Sequence, residues 1–388
     1  MKRVGIITMY HGSYNYGGVL QSYALQKVVS DLGYYCEQIS FQRKEKKSFK
    51  SNIKNRLEVD NLLTVIVWGI SRTKKVIDSK IARKIYGKKY NKFIKIRKGK
   101  FDEYRNSIPH SEIYNSETIK ESLTDYDAFI CGSDQVWKPG VVCKEYLLNF
   151  VPNEISKISY AASISKNKLS AQESELIISG INRLDAVSVR EKQAVNLINK
   201  YTEKKVEWVL DPTFLVHSSH WETQCEEVKI KEDYIFCYLL GVNKSQRKLI
   251  ENLARKNNLK IVTIPFANGN YNFTDASFGD IKVCDAGPHD FLGLIKNAKL
   301  VITDSFHATV FSNIFNTDFY VFERTEETSM NSRIISLLEF LNLKDRFIQC
   351  FDKDIIWESI DFRNRRSVDK KIEECKEFLE RSLNGKYN

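Results

Sequence analysis

The chain has 388 residues, of which 42% are hydrophobic and 12% aromatic, enough apolar material for two domains with cores of their own and too much for a disordered protein. Its eight cysteines form no CxxC pair, and no apolar run reaches the roughly 18 to 20 residues of a membrane span. A disulfide scaffold and an integral membrane protein are thus excluded, and without a signal-peptide pattern we expect a cytoplasmic protein.

The net charge of +11 is concentrated in one segment. Residues 42–106 contain 21 Lys and Arg against 6 Asp and Glu, a net +15, so the rest of the chain carries −4. This basic insert is typical of a solvated helical face, or of a surface that meets anionic membrane lipids or a lipid-phosphate substrate. It contains no zinc finger or aromatic RNA-binding motif, so we expect no nucleic-acid partner.

The first part of the chain predicts a βαβ series. The β-rich start KRVGIITMY precedes a helix over 17–32, and YYCEQISF is the next strand. Helices near 60–70 and 74–105 are expected in the insert. Strands follow in YDAFIC, ISYAAS, AVSVRE and EWVLDP, and the proline after Asp211 ends the last of them.

A second series begins after a polar, irregular stretch at 216–232. Strands are predicted at 234–240, 259–265, 300–303 and 319–322. Helices are predicted at 245–256, 288–298, 307–315, 331–341 and 368–383. The sequence therefore predicts an α/β fold with two Rossmann-like domains, 1–215 and 216–388, the first containing the basic insert and the second including the C-terminal helix.

Ligands of such folds bind at the carboxyl ends of strands, against helix N-termini. At the first strand end, Gly17 and Gly18 open a helix and let backbone N–H groups approach a ligand, while Asn15 can cap the helix or bind the ligand. The pattern is neither a P-loop nor GxGxxG and is weak on its own, and a plain helix N-terminus is the alternative.

Two more strand ends carry polar groups. Ser133, Asp134 and Gln135 follow the strand in YDAFICGSDQVW, where they form either a capped turn or a binding site. Arg190 follows the strand in SVRE, where its guanidinium can bind a carboxylate or phosphate in bidentate fashion or form an ion pair with an acidic residue.

The fourth strand end, in LVITDSFHATVFSNIF, places a histidine where a strand gives way to a helix. Asp304 and Ser305 are typical N-cap residues, which puts His307 in the first helical turn. An imidazole there suits an acid that acts on an anionic substrate bound at the helix N-terminus. A satisfied structural histidine is the alternative.

Taken together, these motifs resemble one family. NYGGVLQSYALQ, YDAFICGSDQVW, SVRE, LDPTFL, ITDSFHATVFS and SMNSRI occur in the order and spacing of the polysaccharide pyruvyl transferases. The resemblance spans Val4 to Leu343 and is weakest in the basic insert and the C-terminal tail.

The resemblance implies a GT-B-like fold, with two Rossmann-like domains facing across a cleft. It also implies transfer of the enolpyruvyl group of phosphoenolpyruvate to a sugar of a surface polysaccharide or exopolysaccharide precursor, giving a pyruvate ketal. The acceptor would be a glycan or lipid-linked oligosaccharide at the cytoplasmic side of the membrane, with phosphoenolpyruvate as co-substrate and no other cofactor.

By the same resemblance, His307 is the general acid and Arg190 holds the donor. Members of the family often have Arg-Leu before the histidine, where this chain has Ser305 and Phe306. Either Arg333, which we favour, or Arg324 replaces that arginine beside Ser305 in a donor site on the second domain, or the donor is held differently. The expected acceptor side of the cleft, on the first domain, comprises Asn15, Gly17, Gly18, Ser133, Asp134 and Gln135.

Two other functions remain open. A glycosyltransferase of the same architecture would use a nucleotide sugar, but no convincing Glu-x7-Glu pattern supports it. A non-catalytic scaffold in a polysaccharide assembly is the third possibility, and the presence of His307 argues against it. Apart from His217 and His220, the six histidines are far apart in sequence, and no HExxH motif occurs, so no metal site is expected.

Overall fold

The fold is taken from a computed structural model, in which part of the chain is described. The described residues are 1–43, 62–267, 269, 271–324, 331–363 and 366–386. Residues 44–61 of the basic insert lie outside them, as do the side chains of its apolar run 62–70.

Seven parallel strands form the first sheet, in the order β3-β2-β1-β4-β5-β6-β7. The strands are β1 (Arg3–Ile7), β2 (Tyr35–Phe41), β3 (His110–Tyr114), β4 (Ala128–Cys131), β5 (Ser156–Ala162), β6 (Ala186–Val189) and β7 (Val206–Trp208). The described helices of this half are α1 (Tyr16–Asp31), α2 (Leu62–Ser107), α3 (Ala171–Asn182) and α4 (Lys192–Ile198).

Six parallel strands form the second sheet, in the order β10-β9-β8-β11-β12-β13. The strands are β8 (Tyr234–Tyr238), β9 (Lys260–Thr263), β10 (Ile281–Lys282), β11 (Leu300–Thr303), β12 (Phe319–Phe322) and β13 (Phe347–Ile348). The remaining helices are α5 (Ser218–Thr223), α6 (Lys244–Lys256), α7 (Phe273–Ser277), α8 (Pro288–Lys296), α9 (Phe306–Ile314), α10 (Asn331–Phe340) and α11 (Arg366–Leu383).

The prediction of an α/β fold with two parallel, Rossmann-like sheets is confirmed, because the order 3-2-1-4-5-6 recurs in each sheet. Some details were wrong. The two helices expected in the insert are the single 46-residue helix α2, and strand β3 was not predicted. Strand β3 has only one buried side chain, so its sequence lacks the apolar run of a central strand.

One apolar core runs from the first sheet into the second, and Tyr16 is part of it. The Tyr16 ring stacks on Phe291 with the ring centroids 4.6 Å apart and meets Tyr238 edge-on at 5.5 Å. Its hydroxyl donates a hydrogen bond of 2.6 Å to the carbonyl of Ala286. The N-terminus of α1 is thereby fixed against the second sheet.

The C-terminal helix α11 returns to the first sheet, although the sequence grouped it with the second domain. The backbone N–H of Leu210 lies 3.2 Å from Cys375 Sγ, and Phe378 packs against Tyr160 of β5. The two halves are thus joined by α11 as well as by the connection between β7 and β8. No helix within the described ranges is both long and apolar enough to cross a membrane.

Candidate active site

The end of β11 places His307 in the first turn of α9, as predicted. Ser305 occupies the N-cap position, but its side chain makes no capping hydrogen bond. The Asp304 carboxylate does not cap the helix either. It accepts hydrogen bonds from the N–H groups of Leu240 (2.8 Å) and Gly241 (2.7 Å), so it joins the ends of two neighbouring strands.

Gly17 of the first half lies against the His307 ring. A Cβ atom on Gly17 would be 1.9 Å from His307 Nδ1, so only glycine permits this approach. The Asn15 side chain accepts a 3.0 Å hydrogen bond from the N–H of Gly18 and so caps α1. The glycine-rich loop expected on the acceptor side therefore touches the histidine expected on the donor side.

A buried carboxylate, Asp211, lies on the other side of the ring. Its Oδ2 atom is 3.3 Å from His307 Nε2, an ion-pair distance at which the two groups are not aligned for a hydrogen bond. The same Oδ2 accepts from Arg190 Nη1 at 2.6 Å, and Oδ1 accepts from the N–H and hydroxyl of Thr213. The sequence pattern indicated Asp211 only as the end of a strand. A carboxylate inside the apolar stretch WVLDPTFL was the available signal.

Arg190 is clamped between two carboxylates. Besides its bond to Asp211, its Nη2 donates to Asp134 Oδ1 at 3.2 Å, and its guanidinium lies 4.4 Å from the centre of the Phe306 ring. Asp134 reaches it from a left-handed backbone conformation, with φ of +67°, just after β4. The structure thus joins four separate strand ends in one cluster.

Neighbouring positive charges lower the pKa values of both carboxyl groups, Asp211 and Asp134. Burial alone would raise the pKa of Asp211, but His307 and Arg190 outweigh it and hold that pKa well below its usual range. The pKa of Asp134 is likewise lowered, because Arg190, His307 and Arg333 outweigh its burial. Both side chains are therefore carboxylates at neutral pH.

Arg333 is compensated less completely than Arg190. Its Nη1 atom is 4.0 Å from Asp134 Oδ1, and its Nε, like that of Arg190, has no hydrogen-bond partner among the described residues. Burial and the neighbouring Arg190 lower the pKa of Arg333 to about 10. Its guanidinium would gain stability from an additional anion.

The other predicted residues lie around this cluster. Arg324 Nη2 donates a hydrogen bond of 2.7 Å to the carbonyl of Asp304, the residue before Ser305. Ser133 Oγ bonds to the carbonyl of Ala161 and lies 3.4 Å from Asp211 Oδ2, so it belongs with Arg190 and His307. The Gln135 side chain points toward Ser165, and its Nε2 donates a hydrogen bond of 3.2 Å to the Ser165 hydroxyl. Which of these residues meet a donor and which an acceptor stays a prediction.

Within the described part of the chain, no group of three or more His, Cys, Asp or Glu side chains is placed to hold a metal ion.

The geometry can be set beside known proteins. The chain resembles the solved structure of UDP-GlcNAc 2-epimerase from Methanocaldococcus jannaschii, with 12% sequence identity, coverage of 96% of this chain and 99% of that chain, and a TM-score of 0.47. It also resembles UDP-GlcNAc 2-epimerase from Neisseria meningitidis, with 9% sequence identity, coverage of 99% of this chain and 100% of that chain, and a TM-score of 0.48. A third similar structure is that of TarM from S. aureus, with 10% sequence identity, coverage of 100% of both chains and a TM-score of 0.47. These similarities concern the fold alone.

No curated protein matches the chain. A family described as polysaccharide pyruvyl transferase matches residues 15–326, which include the glycine-rich loop and the cluster residues Asp134, Arg190, Asp211 and His307. The fold is the GT-B-like arrangement of two Rossmann-like domains, and the chain belongs to the polysaccharide pyruvyl transferase family.

Proposed function

We propose that this protein transfers the enolpyruvyl group of phosphoenolpyruvate to a sugar of a surface polysaccharide or exopolysaccharide precursor, forming a pyruvate ketal. The observation that carries the proposal is the incompletely compensated guanidinium of Arg333, buried beside Arg190 and within the same cluster as His307. Such a site favours a small anion next to an acid.

Phosphoenolpyruvate offers a carboxylate and a phosphate, and guanidinium groups bind both in bidentate fashion. Among the described residues, Arg190 has two carboxylate partners, whereas Arg333 has one at the limit of an ion pair. We therefore assign Arg333 as the principal donor-binding residue, in the role expected of the arginine that Ser305 replaces. Arg324, which holds the backbone of Asp304, supports the turn that carries His307.

His307 is assigned as the general acid. It protonates C3 of phosphoenolpyruvate, which turns the methylene into a methyl group and leaves C2 electron-poor. A sugar hydroxyl attacks C2 and loses its proton, and the C2–O bond to phosphate then breaks. Inorganic phosphate leaves with the electron pair of that bond. A second hydroxyl then adds at the electron-poor C2 and loses its proton, which closes the ketal.

Asp211 is a positioning residue in this scheme. With its carboxylate near Nε2, Asp211 fixes one edge of the imidazole, while Gly17 packs against the ring near Nδ1. A carboxylate that stays ionised next to the ring also holds the imidazole in one orientation.

The test is incubation with phosphoenolpyruvate and a panel of lipid-linked oligosaccharides, followed by mass spectrometry of the glycan and assay of phosphate. The proposal predicts one pyruvate ketal and one phosphate per turnover, both lost in His307→Gln. A matched incubation with UDP-GlcNAc tests the nucleotide-sugar alternative. Sugar transfer from UDP-GlcNAc, with no reaction of phosphoenolpyruvate, would contradict the proposal.

A further inference from the structure

The long helix α2 presents two chemically different faces. One face is anchored on the second half of the molecule, where the buried side chain of Arg97 donates hydrogen bonds to the carbonyls of Cys284 (2.8 Å) and Pro265 (2.9 Å). Tyr90 packs edge-on against Phe266 on the same face, with ring centroids 5.4 Å apart. These contacts fix the orientation of the helix, and with it the face that points away.

The opposite face carries an exposed apolar stripe. Ile77, Ile81 and Ile85 follow one another at four-residue spacing, and Ile96 lies three turns beyond Ile85, so these side chains project from one side of the helix. They are between 40% and 57% exposed. Val76 (49%) and Phe93 (40%) flank the stripe. A row of large apolar side chains in water marks a surface that binds a partner.

Basic side chains are interleaved with this stripe. Lys84, Lys88, Lys92 and Lys95 are all exposed and share its helical spacing. Asp78 is the one acidic residue between Val76 and Lys98. The partner must therefore accept apolar side chains and positive charge along the same line.

We propose that this face of α2, from Val76 to Lys98, docks on the surface of an anionic phospholipid bilayer. Isoleucine side chains enter the boundary between headgroups and acyl chains, while lysines bind the phosphates, as in amphipathic helices that lie in the interface. A second copy of the chain fits less well, because pairing two such faces would set the rows of lysines against each other.

The C-terminal end of the same helix lies beside the candidate active site. Lys98 and Arg105 lie over the ring of Tyr14, at 5.0 and 4.9 Å, and Tyr14 directly precedes the cap residue Asn15. Docking through α2 would thus hold the glycine-rich loop near the bilayer, where a lipid-linked acceptor is presented. The docking itself does not depend on the proposed transferase chemistry, and its test has a separate readout.

The test is co-sedimentation of the full-length protein with vesicles of phosphatidylcholine, with and without phosphatidylglycerol, over a range of salt concentrations. We expect binding that grows with the phosphatidylglycerol content and weakens with salt. Lys84→Glu with Lys88→Glu should lower the partition coefficient by at least roughly thirtyfold, because two attractive charges are lost and two repulsive ones are added. Ile81→Ser with Ile85→Ser should lower it by roughly tenfold, because the apolar contribution is lost while the charge remains.

Matched controls come from exposed residues elsewhere. Ile356, which is 79% exposed, is changed to Ser, and the exposed Lys229 and Lys231 are changed to Glu. These variants should bind vesicles like the wild type, and every variant should keep the wild-type melting temperature.

Binding that does not depend on lipid charge or salt would overturn the proposal, as would α2 variants that bind vesicles like the controls. Sedimentation velocity showing a dimer that the isoleucine changes dissociate, without vesicle binding, would assign the face to a second copy instead.

Discussion

The contact between Gly17 and His307 makes a steric prediction. In Gly17→Ala the new Cβ would be 1.9 Å from His307 Nδ1, whereas real Cβ contacts essentially never fall below 3.0 Å. Helix α1 and the imidazole must therefore separate by at least about 1 Å. Overpacking of this kind costs about 1 to 3 kcal/mol of unfolding free energy. A displacement of 1 Å in a catalytic group can reduce turnover by about 100-fold.

The matched control is Gly18→Ala in the same helical turn. Its Cβ would meet Ser13 Oγ at 3.2 Å, the end of a small side chain that can rotate away. Both changes add the same helix propensity, so their difference isolates the clash. Thermal unfolding, phosphoenolpyruvate affinity by calorimetry and phosphate release are measured for both variants. Equal stability and equal turnover in the two would refute the close packing of His307 on Gly17.

Three further substitutions probe the charges of the site. Arg333→Lys should weaken phosphoenolpyruvate binding, measured by calorimetry, by at least about tenfold with little change in melting temperature, because lysine cannot bind the donor in bidentate fashion. An unchanged affinity would show that Arg333 does not bind the donor. Arg190→Lys should instead lower the unfolding free energy in urea by about 1.5 to 3 kcal/mol, because Arg190 already joins Asp211 and Asp134; a wild-type urea midpoint would contradict that role. Because the pKa of Asp211 is lowered in the folded protein, its carboxylate stabilises the fold at pH values above its usual pKa of about 4, and this contribution is lost as the pH falls further. Asp211→Asn should therefore be less stable than the wild type at pH 7 and should lose less stability on acidification. Parallel curves of stability against pH for the two proteins would contradict this linkage.

Much of the fold follows from local patterns. The glycines after β1 and the histidine after β11 could be identified because parallel strands bring functional groups to their carboxyl ends. The central strands are short apolar runs between turn residues, and Phe319–Phe322 agrees with its predicted range to the residue. Strand β3, HSEIY, could not be recognised, because an edge strand with one buried side chain has a polar sequence.

The site itself was predicted only in part. His307 and Arg190 stand out by residue type and position, but Asp211 connects them only in three dimensions, from a point 96 residues before the histidine in sequence. Asp304 illustrates the opposite error. It has the sequence of a helix cap, yet its carboxylate binds the backbone of Leu240 and Gly241, because the neighbouring strand end offers two N–H groups at once.

The central claim is that His307 delivers a proton to C3 of phosphoenolpyruvate during transfer. The most direct measurement is the reaction with a lipid-linked oligosaccharide acceptor in deuterated water, with mass spectrometry and proton NMR of the pyruvylated product. We expect one solvent deuterium in the methyl group of each ketal for the wild type, and no ketal for His307→Gln. A ketal formed by the glutamine variant at the wild-type rate, or a wild-type methyl group without deuterium, would contradict it.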